Sequence, residues 1–217
     1  MTKLLYKELK LSASRLSFVL IAAALLTFVP GYPILLGAFF TTLGIFYSYQ
    51  TMRENNDIPY SMLLPVSKAD VVKGKFAFTV LIELCSFAMM TVITLVRMLL
   101  LKDAAVYAAN ALMCANLSFL GYALLIFGLF NFIFVRGFFK TAYYFGKPFI
   151  AYCVVSFLVI ALAETLYHIP GLEALNAFGF APLLPQGAVL GAGLLSFAAL
   201  TAAGLKKSQR TFEKIDL

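Results

Sequence analysis

The chain has 217 residues, 62% of them hydrophobic and 12% charged, with a formal net charge of +7. That is about half the charge content of an ordinary soluble domain, and a soluble core of this size could not hide so much apolar surface. The composition excludes a soluble globular domain and points to an all-α polytopic membrane protein.

In chain order, residues 1–15 read as an amphipathic helix. Lys3, Lys7 and Lys10 share a narrow stripe, with Leu5, Leu9 and Tyr6 on the other side. Such a helix lies along the headgroups with its lysines toward anionic lipid or an acidic partner. Ordinary basic flanking of a span would explain the charges, but not their amphipathic order. Residues 16–52 then carry no charge over 37 positions, roughly 55 Å as one helix and nearly twice a bilayer core. The run must fold back, and Pro30-Gly31-Tyr32-Pro33 supplies the turn. This predicts a first span near 11–29 and a second near 34–52. No cleavable signal peptide is expected, because the first apolar run lacks a convincing small-residue cleavage site.

Residues 53–75 form a compact polar loop. Asp57 or Ile58 can cap a short helix that Pro59 opens. Pro65 ends it by forcing Leu64 out of the α region. Ser67 and Asp70 have the S-x-x-D spacing that satisfies orphan amides at the next helix start. A rigid short helix, a stop and a restart have the shape of a docking element rather than a slack linker.

Further spans are predicted at 76–96, within 104–135, at 148–163 and at 187–205. That makes six spans in a single transmembrane domain over 1–217, with a tail at 206–217. Residues 164–185 are apolar but broken by Pro170, Gly171, Gly179, Pro182 and Pro185. Irregular backbone at membrane depth survives only when protein or a water-filled cavity satisfies it. The segment reads as two half-helices dipping into the outer leaflet, or as a plain hydrophobic outer loop.

Fifteen of the seventeen basic residues fall on one side of this arrangement, leaving Arg97 and Lys102 opposite. Both termini and the 53–75 loop are therefore expected in the cytoplasm of a multi-pass cell-membrane protein. The asymmetry accounts for the positive charge without nucleic-acid binding.

Catalytic chemistry is hard to find. No nucleotide-binding G-x-x-x-x-G-K-[ST], H-E-x-x-H or G-x-S-x-G pattern occurs, and no acids pair at helical spacing within a span. Cys85, Cys114 and Cys153 each fall in a predicted span and read as buried small hydrophobes without metal-ligand spacing. His168 reads as a surface residue. Arg97 and Glu164 sit near the outer edge, where snorkelling hides their charge. Glu83 is the one acid well inside a span. It is either part of a substrate pathway or a structural partner for Asn116, Ser118 or Asn131. The 22 phenylalanines suit an amphipathic substrate or plain packing.

An amphipathic start, six spans and a loop between spans two and three together resemble the ABC-2 type permeases. Glu54 and Asp57, then Leu63-Leu64-Pro65-Val66-Ser67-Lys68, then Val71-Val72-Lys73-Gly74-Lys75, are similar to that family's acidic residue, L-P-[VS]-[ST]-[RK] and V-x-x-K run. The chain looks closest to small permeases of phenol-soluble modulin exporters. The resemblance implies a coupling helix of about residues 57–64 that docks into a separate ABC ATPase subunit. Arg53 and Glu54 would sit at its rim, and Asp57, Ile58, Pro59, Tyr60, Met62, Leu63 and Leu64 would form its surface. It further implies a second permease copy, identical or different. ATP and Mg would be held by the partner chain, and none by this one. The expected function is export of an amphipathic peptide, lipid-like molecule or hydrophobic drug. A non-transporting scaffold, immunity or sensor subunit is the main rival, and an intramembrane enzyme acting on lipid would need polar groups paired within one leaflet.

Overall fold

The computed structural model of the chain describes residues 2–101, 104–108, 112, 114–141, 144–178 and 182–215. Helix α1 is α-helical over Thr2–Lys7 and π-helical over Glu8–Ser12. Ala13 is extended, and the Ser14 hydroxyl accepts from the Leu16 amide to start α2. Helix α2 covers Arg15–Val19 and tightens to 3₁₀ geometry over Leu20–Phe28. The two arms, Lys3–Ser12 and Arg15–Phe28, meet at 101°, the geometry that an interfacial helix leading into a span requires.

The expected fold-back follows, with Gly31 at φ 78, a backbone conformation that favours glycine. Helix α3, Leu36–Glu54, returns beside α2. Gly44 lets the two backbones approach, and the Ser17 hydroxyl donates to the Gly44 carbonyl at 2.6 Å. Helix α4 is Asp57–Met62 and α5 is Lys68–Leu100. A short turn α6, Ala105–Ala108, precedes α7, Leu117–Leu129. Helix α7 runs through a π-helical stretch, Phe130–Val135, into α8, Arg136–Thr141. Helices α9, Gly146–Thr165, and α10, Leu183–Phe212, complete the bundle.

Every regular element among the described residues is helical. Among the described residues, four helices are long and apolar enough to cross a membrane, or up to five if the bent pair α1–α2 forms one span. Helix α3, expected as span two, is less apolar because it carries a row of hydroxyls. These are buried and paired: Thr41 with Ser86 at 2.7 Å, Thr42 with Tyr152 at 2.7 Å, Tyr49 with Thr79 at 3.1 Å. Its polarity is turned inward, where hydropathy averaging cannot distinguish it from exposure.

The continuous α7–α8 helix is the most buried span and α10 the least. Phe119, Phe127, Phe130, Phe134, Phe138 and Phe139 fill the centre. Helix α10 packs on α7 through glycines. A Cβ on Gly193 would collide with the Gly121 backbone, and one on Gly204 would lie 3.0 Å from the Asn131 carbonyl. Small residues of this kind let membrane helices approach closely.

Several expectations change. The outer segment contains two 3₁₀ turns of three residues, Leu166–His168 and Glu173–Leu175, in place of half-helices. Pro170 and Gly171 (φ 88) interrupt it before a longer helix can form. Asn176 accepts from the Cys114 amide at 3.0 Å, and Gln186 donates to the carbonyls of Ala174 and Ala177, tying the segment to the end of the bundle. Cys85 is exposed on α5 and Cys114 lies before α7, so only Cys153 is both in a helix and partly covered. Arg97 is buried rather than snorkelling: it donates to the Thr27 carbonyl at 2.7 Å and stacks on Tyr107. The tail is helical to Phe212, which is buried against Phe139, and Lys68 donates to the Ile215 carbonyl at 2.6 Å. Lys102 and Gly179 lie outside the described residues.

Candidate functional site

The loop that the sequence marked as a docking element contains helix α4 as expected, but it starts by a different route. Asn56, at φ 50, occupies the position before the helix and makes no side-chain cap. Asp57 is diverted from capping because two lysines compete for its carboxylate. The Lys7 ammonium lies 2.6 Å from Asp57 Oδ1, and Lys75 holds Asp57 Oδ2. Lys75 also lies 2.9 Å from Glu8, and Lys7 lies 3.3 Å from Glu8. The four charges close a ring of zero net charge joining α1, α4 and α5. Ser61, whose hydroxyl donates to the Asp57 carbonyl, receives a hydrogen bond from Lys7 at 2.6 Å.

The ring is enclosed. Glu8 is 1% exposed, Lys75 0% and Asp57 8%. Desolvation by burial alone would raise the Asp57 pKa. The attraction of Lys75 and the hydrogen bonds from Lys7 and Lys75 outweigh it, so the pKa lies below the ordinary 3.8. At the restart, the Ser67 hydroxyl accepts from the Asp70 amide at 3.1 Å and donates to its carboxylate at 2.7 Å. Those bonds, with Lys73 beside it, hold Asp70 below its ordinary value.

The ring divides the expected docking residues into two sets. Asp57 and Ile58 face inward and anchor the helix; Pro59, Met62 and Leu64 are half-buried. Facing outward are Tyr60, 55% exposed, and Leu63, 83% exposed. Arg53 and Glu54 are exposed beside them, Arg53 over the Phe145 ring at 4.9 Å and Glu54 accepting from Gln50 at 3.1 Å. Tyr60 and Leu63 thus present an apolar face to the outside on a helix clamped from behind. Lys7 therefore points into the protein, not toward headgroups as its stripe suggested.

Sequence reasoning missed Lys7, Glu8, Ser61 and Lys75. The one available signal was sign: Glu8 is the single acid in the first fifty residues, set among four basic residues.

Glu83, the other expected site residue, is 0% exposed on α5. Its Oε2 accepts from the Asn131 amide nitrogen at 2.8 Å, and that nitrogen lies 3.0 Å from the Thr201 hydroxyl. Of the three partners expected from span four, Asn131 is the one that meets it. Glu83 Oε1 and Asn131 Oδ1 have no hydrogen-bond partner among the described residues. The cluster links α5, α7 and α10 where the α7 helix turns π-helical, a distortion common at functional positions. No group of three or more metal-ligating side chains occurs among the described residues.

No curated protein and no solved structure matches this chain. A family model described as ABC-2 family transporter protein matches residues 3–213, nearly the whole length. The chain belongs to the ABC-2 transporter family, a family of multi-pass membrane transport components.

Proposed function

We propose that this protein is the permease subunit of an ABC exporter, driven by a separate ATPase that docks on α4. The observation that carries this reading is the split of α4 into a charge-locked inner face and an exposed Tyr60–Leu63 face. A contact surface that transmits force must not yield under load, and the buried ring supplies the stiffness. ATP and Mg belong to the partner chain. The grouping of α1, α4 and the end of α10 at one end of the bundle supports placing both termini with the loop in the cytoplasm. Six spans result when α2 and α3 are each counted as a crossing beside the four long apolar helices.

Two permease copies would frame the path. The phenylalanine-rich interior, with Glu83 as an acid buried well within a span, favours an amphipathic peptide, a lipid-like molecule or a hydrophobic drug over a small ion. A likeness to the permeases of phenol-soluble modulin exporters agrees with that substrate class.

The test is co-purification in detergent with candidate ABC ATPases, followed by ATP hydrolysis in lipid nanodiscs. Wild-type protein is expected to retain an ATPase, and Leu63→Asp to lose it while still inserting into the membrane. Undiminished retention by Leu63→Asp, or no ATPase bound by the wild type, overturns the docking assignment and leaves a non-transporting membrane scaffold as the better reading.

A further inference from the structure

A groove of about 210 Å³ opens on the α7–α8 helix, walled by Phe132, Ile133, Arg136, Gly137 and Lys140. The Arg136 guanidinium carbon lies 5.0 Å from the centre of the Phe132 ring. Lys207 of α10 brings its ammonium to 5.1 Å from the same ring. Two cations thus converge on one phenyl ring, with Lys140 one turn further along. None of the three enters an ion pair among the described residues, whereas Glu8, Asp57 and Asp70 at this end are engaged by Lys7, Lys75 and Lys73. Attraction to the ring orders the two cations without neutralising them.

The position of the groove selects the kind of anion that suits it. Phe139, two residues beyond Gly137, meets Phe76 of α5 and Phe212 of α10. The groove therefore lies at the same end of the bundle as α4. Phe132 and Ile133 lie toward the middle of the span, and Lys140 and Lys207 are exposed at the rim. The site is apolar on the bilayer side and basic on the water side, beside α10, the least buried span.

We propose that this groove binds one anionic phospholipid, its phosphate between Arg136, Lys140 and Lys207 and its acyl chain along Phe132 and Ile133. Free phosphate shares the headgroup chemistry but would leave the Phe132–Ile133 wall uncovered. The inference needs only that the chain is embedded in a membrane, not that an ATPase docks on α4.

The experiment is native mass spectrometry of the purified full chain from phosphatidylglycerol–phosphatidylcholine mixtures, with thermal melting in each lipid alone. Wild type is expected to retain phosphatidylglycerol and to melt higher in it. The combined variant Arg136→Gln, Lys140→Gln, Lys207→Gln should lose retention by at least about tenfold, with unchanged melting in phosphatidylcholine. A control with equal loss of charge away from the groove, Arg15→Gln, Lys73→Gln, Lys214→Gln, should retain the lipid. Equal loss in the control, or no lipid preference in the wild type, overturns the site. Stabilisation by inorganic phosphate in phosphatidylcholine matching that of phosphatidylglycerol overturns the lipid as its occupant. If the triple variant melts early in phosphatidylcholine, Lys207→Glu alone carries the test, and unchanged retention there overturns the proposal.

Discussion

Lys75 and Glu8 stand 67 positions apart in the chain, yet their charged groups meet at 2.9 Å in a site closed to solvent. The pair places the N-terminal helix directly behind α4, so the loop is a surface layer backed by two other helices. Removing one member of a buried pair strands its partner in a low dielectric, and such losses reach about 3–5 kcal/mol. Lys75→Met is expected to destabilise the protein on that scale, read as a fall in melting temperature in detergent. Adding Glu8→Gln should recover part of the loss, because Lys7 and Asp57 still pair. Full additivity of the two changes would show that they do not share a network.

The lowered Asp57 pKa gives the ring a pH dependence of definite sign. A carboxylate whose folded pKa is depressed contributes stability that is complete above its ordinary value of 3.8. That contribution is lost as pH falls through the folded value. Acid melting curves should therefore show a loss of stability below about pH 4, and Asp57→Asn should flatten it. An unchanged acid limb in that variant would detach Asp57 from the effect.

Glycine-mediated packing predicts a contrast along α10. Gly193→Ala would drive a methyl group into the Gly121 backbone, whereas Gly191 has open space where its Cβ would lie. Gly193→Ala should destabilise by about 1–3 kcal/mol, and Gly191→Ala by less than about 0.5 kcal/mol if at all. Thermal melting of the two variants side by side checks the seam, and equal effects would contradict it.

Glu83→Gln preserves shape and keeps an acceptor for the Asn131 amide, so folding and partner binding should survive. If Glu83 serves the transport path, substrate-dependent ATP hydrolysis in nanodiscs should change by several-fold. Unaltered hydrolysis and transport would reduce the cluster to a helix–helix tie.

Local rules made part of this legible in the sequence. Pro65 and the Ser67–Asp70 cap place the break and restart of the loop because each acts within a few residues. The charge-free run of residues 16–52 shows its fold-back for the same reason. The ring was not legible, since it joins three separate helices and converts Asp57 from a cap into an anchor. The pairing of the α3 hydroxyls was not legible either, because Thr41, Thr42 and Tyr49 are satisfied by Ser86, Tyr152 and Thr79, which arrive later in the chain. Glu83 was recognisable as an internal acid, but Asn116 and Ser118 offered equally plausible partners until α7 was laid against α5. The second cation over the Phe132 ring is Lys207, seventy-five residues further on, which no local pattern could bring there.

The neutral ring also serves as a check on membrane topology. It closes only when α1, α4 and the start of α5 lie on the same side of the bilayer. In the proposed six-span topology, a chain that skipped the fold-back at Gly31 would leave Asp57 and Lys75 across the membrane from Glu8 and Lys7. Each half would then hold one acid and one base, with no helix behind α4 to bury them. In that topology, insertion of α2 and α3 is registered by whether residues 7, 8, 57 and 75 can find one another.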